Sequence, residues 1–343
     1  MTTTSIGSFP IYILPAKLPE ESETSKEDHT AAAVRDQGYG INLPELVQAN
    51  ENRKQIEEGR TRGLWSALHH GTYETHKRAR ENEFLNSLIK GNLAFCSKAY
   101  VLYLCNLYTL HVGIEKAQAK IVDKYGKDFF VFPILFRSEK LRHDIKIWSI
   151  FNTLSPKFAD LPTDCEEFIK NIHEMTEEIT RIYVRRIETI VAQESELFRV
   201  IGILYALYGT ILSGGQFVKA GRDGESGVKS GFLFRIDDND AEVPSHYFEE
   251  IQKKIKENPA CKNELAEQSV SFFSFPTDFS IPAFKILWHK NLDGIREKLS
   301  QDENTRETYE KMIIEEANTA IDTVLGFISS LLTSLKSGKY NTL

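Results

Sequence analysis

The stretch Leu212-Ser213-Gly214-Gly215-Gln216 stands near the end of a strongly apolar run, and its two adjacent glycines decide how that run is read. Residues such as Val200, Ile201, Ile203, Leu204 and Leu207 make a buried helix from Glu196 to Lys219 the expected structure. A glycine pair near the end of such a helix lets it bend and lets backbone approach a flat ligand closely, since no Cβ stands in the way.

A second segment answers the first. Leu64 to Ala79 reads as a helix that carries His76 on the same stripe as Leu68 and Thr72. A lone histidine on such a stripe is more often a core residue than a ligand, so His76 gains a role only through its surroundings. The apolar spacing of three and four runs on through 64–91 and from Ser97 to Val122. It predicts further helices at Ser138–Ser149, Cys165–Ala192, Pro282–Leu299 and Asn304–Leu335. Strand alternation is nearly absent, so the expected architecture is all-α, a single multi-helix domain over residues 60–337. A polar arm precedes it (1–59, with a short helix near Leu43 to Glu58) and a short tail follows (338–343). Residues 220–269 break the pattern with Asp237-Asp238-Asn239-Asp240, which lacks EF-hand spacing, and are expected to be a solvated loop with one short helix from Tyr247 to Lys256.

Composition bounds the function. A hydrophobic content of 41% and a charged content of 27% over 343 residues are those of a globular protein with ample core. The net charge of -7 argues against nucleic acid as a partner, because phosphate contacts need a basic face. The four cysteines form no C-x-x-C pair, so neither a zinc ribbon nor a redox dithiol is indicated. No leader-like stretch opens the chain and no apolar run reaches the ~20 residues of a membrane span, so a soluble, cytoplasmic protein without a transmembrane anchor is expected.

Several ordered motifs together resemble the haem oxygenases. Thr75-His76-Lys77-Arg78-Ala79, Glu83-Phe84-Leu85 and Lys90-Gly91 follow that family's proximal pattern. Leu107, Tyr108 and Glu115 follow its next helix, with His111 in place of a second tyrosine. Arg137, Leu141, Asp144 and Trp148 keep the spacing of another, and Tyr183 to Ile187 with Glu194 to Leu197 resemble the lead-in to the distal helix. Phe272-Phe273-Ser274-Phe275-Pro276, followed by Phe284-Lys285, is similar to the segment before the family's propionate-binding helix.

The resemblance implies a haem held between two facing helices, with His76 as axial ligand to the iron and Gly214 and Gly215 on the distal side. It implies propionate contacts from Lys285 and from His289, which stands where the family has arginine, and from His69 in a lysine's place, with Tyr205 reaching the same edge. The distal aspartate that organises proton-delivering water is replaced by Thr210 or Ile211, depending on how the segment is aligned. Arg80 stands where a glutamate usually accepts the ligand imidazole's N–H; Glu81 or a backbone carbonyl is left to substitute. The implied activity is opening of haem to biliverdin, carbon monoxide and ferrous iron with O2. No dinucleotide or flavin signature is present, so electrons would come from an NADPH-dependent reductase or ferredoxin. The alternative is a non-catalytic haem carrier or sensor that kept the pocket and lost proton delivery. A di-iron oxidase is poorer, because no Glu-x-x-His pair is found, and a cofactor-free helical scaffold is a fourth reading.

Overall fold

The structure is a computed structural model that describes residues 63–91, 97–125, 133–222, 224–237, 246–276 and 279–339. The expected arm (1–59) and its short helix lie outside the described residues, as does most of the tail. Among the described residues the chain is helical, with short 3-10 turns and no strand.

Two long helices form the frame: α4 (Ser97–Tyr125) and α15 (Glu303–Lys336). Against them pack α8 (Glu178–Ala192), α9 (Arg199–Leu212) and, at the ends, α1 (Leu64–Gly71), α2 (Tyr73–Glu81), α3 (Glu83–Ile89) and α14 (Ile281–Leu299). Local chemistry fixes where they start. Asn82, Ser280 and Asp302 accept from the backbone N–H of Leu85, Ala283 and Thr305, satisfying first-turn donors that a helix leaves open.

The α9–α15 contact is close because small residues face each other: Gly202 and Ala206 on one helix, Ala317 and Ala320 on the other, all buried. A Cβ on Gly202 would lie 2.2 Å from the Ile313 carbonyl oxygen and 2.9 Å from Ala317 N. Both are backbone atoms that no rotamer change can move. Gly202→Ala is therefore expected to cost about 1–3 kcal/mol of stability, the scale of core overpacking, read as a fall in the denaturation midpoint. The 22-residue stretch Arg199–Ala220 is long and apolar enough to cross a membrane, yet 67% of its apolar window is buried inside this fold, as expected of a core helix.

Four expectations need correction. The predicted helix over Leu64–Ala79 is two, broken at Thr72, and the apolar spacing that runs on to 91 belongs to a third that starts after Asn82. The one over Cys165–Ala192 is two, α7 (Glu166–Glu174) and α8, because Asn106 Oδ1 accepts from Glu177 N and Thr180 Oγ1 and pins the chain between them. The apolar run breaks at Ser213 into α9 and α10 (Gly214–Ala220).

The fourth correction is the largest. The expected loop at 220–269 holds three helices, α11 (Val228–Asp237), α12 (His246–Glu257) and α13 (Cys261–Gln268). Val228, Phe232 and Ile236 recur every four residues and are buried, as are Phe248 and Ile251. Phe232 packs 5.3 Å from Trp148 and 5.2 Å from Phe151, ring centre to ring centre. Trp148 lies on α5 (Ser138–Ser149) and donates from Nε1 to Ser269 O at 2.8 Å. Burying a phenylalanine in this way stabilises by roughly 1.5–3 kcal/mol, so α11 is part of the core.

Candidate functional site

The break at Thr72 builds the proximal side. Gly71 precedes it, and the Thr72 hydroxyl bonds back to Leu68 O at 2.7 Å, which ends α1 and starts α2 on a new axis. The Thr72 carbonyl then takes two donors from one residue, His76 N at 3.0 Å and His76 Nδ1 at 3.0 Å. A carbonyl can only accept, so the last contact fixes His76 as the Nδ1–H tautomer and leaves Nε2 with its lone pair. Here the backbone substitutes for a carboxylate, and Arg80 takes no part in that bond.

His76 is half-buried, and burial holds its pKa below the usual histidine value, with the Thr72 carbonyl opposing and His69 and Arg80 adding to the fall. A neutral imidazole with a free Nε2 is the form that binds a metal ion. Among the described residues no three His, Cys, Asp or Glu side chains group as a metal cluster requires, so a metal at His76 would have this one protein ligand.

Tyr205 faces His76 from α9, edge to face with ring centres 6.3 Å apart, and its hydroxyl is within reach of the Thr72 side chain. Trp288 of α14 stacks on Tyr205 at 5.9 Å and covers Gly209, where a Cβ would lie 3.1 Å from the indole. His289 lies 4.3 Å from the ring of Trp65, and His69 stacks on Trp65 at 5.4 Å. Asp293 holds this register by accepting from Trp65 N at 2.9 Å, which fastens α14 to the start of α1. Lys285 is one turn before His289 and half-buried. His69 is exposed, and its pKa is lowered by burial of part of the ring and then by His70 and Arg80. Thus His69, His76, Tyr205 and His289 form one assembly around Trp65 and Trp288. His70 turns away onto Ser66 O, 2.7 Å distant.

At the bend between α9 and α10 the two glycines part company. Gly214 is exposed and nothing lies within 4 Å of where its Cβ would stand. Gly215 is buried, with Phe273 in that place at 2.7 Å, so it serves packing. Gln216 locks the bend, donating to Ile211 O at 2.9 Å and to Phe273 O at 3.0 Å. Thr210 is exposed and donates to Ala206 O at 2.6 Å, whereas Ile211 is buried. Position 210 thus offers an exposed hydroxyl beside the bend, and neither 210 nor 211 is a carboxylate.

Three residues of the site escape a reading of the sequence. Trp65 and Trp288 look like ordinary core aromatics. Asn318 of α15 donates to Gly71 O at 2.9 Å and accepts from Thr75 Oγ1, so it braces the break that orients His76. The one available signal was its amide on an otherwise apolar stripe between Ile314 and Ile321.

The open surface at Gly214 predicts a clean substitution. Gly214→Leu is expected to fold with an unchanged circular dichroism spectrum and to lower the affinity for a flat ligand between α2 and the bend by about tenfold or more, measured by absorption titration.

The family model described as heme oxygenase matches residues 62–324. "Heme oxygenase 2" of Synechocystis sp. is 29% identical over 158 residues, 46% of this chain and 54% of its own length. "Heme oxygenase 1" of Bos taurus is 23% identical over 270 residues, 78% of this chain and 71% of its own length. The chain thus spans about half the length of the cyanobacterial relative. A solved structure of heme oxygenase-2 from Synechocystis sp. PCC 6803 in complex with heme and NO shares the fold with a TM-score of 0.52 and 22% identity, over 80% of this chain and 88% of that one. The heme oxygenase from Leptospira interrogans superposes with a TM-score of 0.50 and 20% identity, over 78% of this chain and 99% of that one. With well over half of its length matched by the family model, and with the helical fold of solved members, the chain belongs to the haem oxygenase family.

Proposed function

We propose that this chain binds haem between α2 and the α9–α10 bend and opens it to biliverdin, carbon monoxide and ferrous iron, using O2 and electrons from a separate NADPH-dependent reductase or ferredoxin. The observation that carries the reading is His76 with Nδ1 spent on the Thr72 carbonyl, Nε2 free, and the space at Gly214 open. These residues fit haem: one imidazole ligand, a distal wall without a Cβ, and basic side chains to one side. Bound haem supplies the redox iron and is itself the substrate.

The chain's own residues then divide the work. His76 ligates, and its N–H bond to the backbone holds the ring and raises its donor strength. Lys285, His289 and His69 meet the propionates, with the two imidazoles kept in place by the Trp65 ring. Tyr205, wedged between His76 and Trp288, presents its hydroxyl on the same side. Thr210 holds water on the distal face through its remaining lone pairs, and Gly214 lets the ligand plane lie against backbone.

A carrier or sensor is the second reading, and one observation favours it: neither Thr210 nor Ile211 is a carboxylate, so no acid stands at that position to deliver a proton. Purified chain, loaded with haem and given a reductase and O2, is expected to release biliverdin and carbon monoxide slowly. Bound haem with neither product, whether electrons come from a reductase or from ascorbate, replaces the enzyme by the carrier.

A further inference from the structure

The helix α15 meets the proximal side along one stripe, through Ile314, Asn318 and Asp322, each four residues after the last. Ile314 packs on Gly71, where a Cβ would stand 2.5 Å from its Cγ2. Asn318 donates from Nδ2 to Gly71 O at 2.9 Å, and Asp322 pairs with Arg78 at 2.8 Å. That ion pair joins two exposed side chains and adds little. Asn318 reaches further, to the bond that holds His76.

The orientation of the Asn318 amide follows from its neighbours. Nδ2 lies 2.9 Å from Gly71 O and 3.1 Å from Ile314 O. Both are carbonyls, which accept and never donate, so nitrogen and not oxygen faces them. Oδ1 then faces the Thr75 hydroxyl. An amide oxygen carries no hydrogen, so Thr75 is the donor in that bond.

A threonine hydroxyl has one proton to give. Thr75 Oγ1 also lies 2.9 Å from Thr72 O, the carbonyl on which the His76 ring depends. That oxygen already takes His76 N and His76 Nδ1, each at 3.0 Å. A proton aimed at it from Thr75 would compete for the same lone pairs. The backbone N–H is fixed by the helix, so the side-chain Nδ1–H would lose most. Asn318 removes the competitor by drawing the Thr75 proton towards α15.

We propose that Asn318 is a positioning residue for His76: it takes the Thr75 proton and so reserves the Thr72 carbonyl for His76 Nδ1–H. The consequence at iron rests on the reading of His76 as the haem ligand. A stronger Nδ1–H bond makes Nε2 the better donor, so Asn318 sets the strength of the ligand through Thr75 and Thr72.

The test is a cycle of Asn318→Leu and Thr75→Val in the full chain. In haem-free protein, nitrogen NMR of the His76 ring should show the Nδ1–H tautomer in wild type and a mixture with the Nε2–H form in Asn318→Leu. The double variant should return to the wild-type tautomer, because valine keeps the shape of threonine and has no proton to misdirect. Thr75→Val alone should match wild type. In the haem complex, Asn318→Leu should lower the ferrous iron–histidine stretching frequency and raise the redox potential. Haem affinity should fall about tenfold, the low end of the ~10- to 100-fold cost of a lost outer partner, and the double variant should recover all three. A brace that acted by packing alone would not be restored by removing a second hydrogen bond. Should Asn318→Leu fail to fold, Asn318→Ala completes the same cycle. An unchanged tautomer in the Asn318 variant, or no recovery in the double variant, overturns the proposal. Haem-free protein that follows the cycle while the haem complex shows no iron–histidine shift keeps the proposal and overturns His76 as the ligand.

Discussion

His76→Ala is expected to abolish the spectrum of histidine-ligated haem and to lower haem affinity by more than the ~10- to 100-fold that loss of an outer hydrogen-bond partner costs a metal site. The reason lies in where the imidazole's two nitrogens go. Nδ1 is committed to the Thr72 carbonyl at 3.0 Å, so the ring has one direction in which Nε2 can point. Burial keeps the ring neutral near pH 7, because it lowers a pKa that starts from 6.5. Neither property holds for its neighbours. His69 is exposed and stacked on Trp65, and His70 bonds to Ser66 O, so His69→Ala and His70→Ala should keep the ligated spectrum. Added imidazole should restore it in His76→Ala by filling the space left. A His76→Ala protein with an unchanged spectrum and redox potential would show that another group ligates the iron.

Much of this arrangement was legible in the sequence, and the reasons for the exceptions are physical. Long helices such as α4 and α15 announce themselves because a buried stripe recurs over many turns. The break at Thr72 does not, because the residues around it keep the same apolar period on both sides, and a threonine bonding back to Leu68 O looks no different in sequence from one on a continuous helix. The helices of 220–269 were hidden by the acidic run Asp237-Asp238-Asn239-Asp240, whose solvated character draws attention from Val228, Phe232 and Ile236. Within the site, His76 and Tyr205 could be picked out as chemistry-bearing types. The contact of His289 with Trp65 and the brace from Asn318 exist only once α14 and α15 have docked on α1 and α2.

Thr210→Asp should raise the rate of biliverdin formation, by up to the ~10²- to 10⁴-fold that a positioned acid–base group supplies. Two positions compete for the role of the distal carboxylate, and burial separates them. Thr210 is exposed, so an aspartate there keeps its hydration and costs little beyond an unfavourable interaction with the nearby C-terminal end of α9, about 0.3–1 kcal/mol. Ile211 is 1% exposed, so Ile211→Asp would bury a carboxylate among core residues, at about 3–5 kcal/mol. The present Thr210 hydroxyl donates to Ala206 O at 2.6 Å, which leaves it lone pairs but no proton for distal water. A carboxylate both organises water and exchanges a proton, so the gain should appear in turnover under saturating haem, with haem affinity changed little. Ile211→Asp should instead lower the melting temperature without a gain in rate. Equal turnover of wild type and Thr210→Asp, with the variant folded and haem bound, would place the proton source away from position 210 and leave the slow wild-type rate to be explained by another residue of the distal wall.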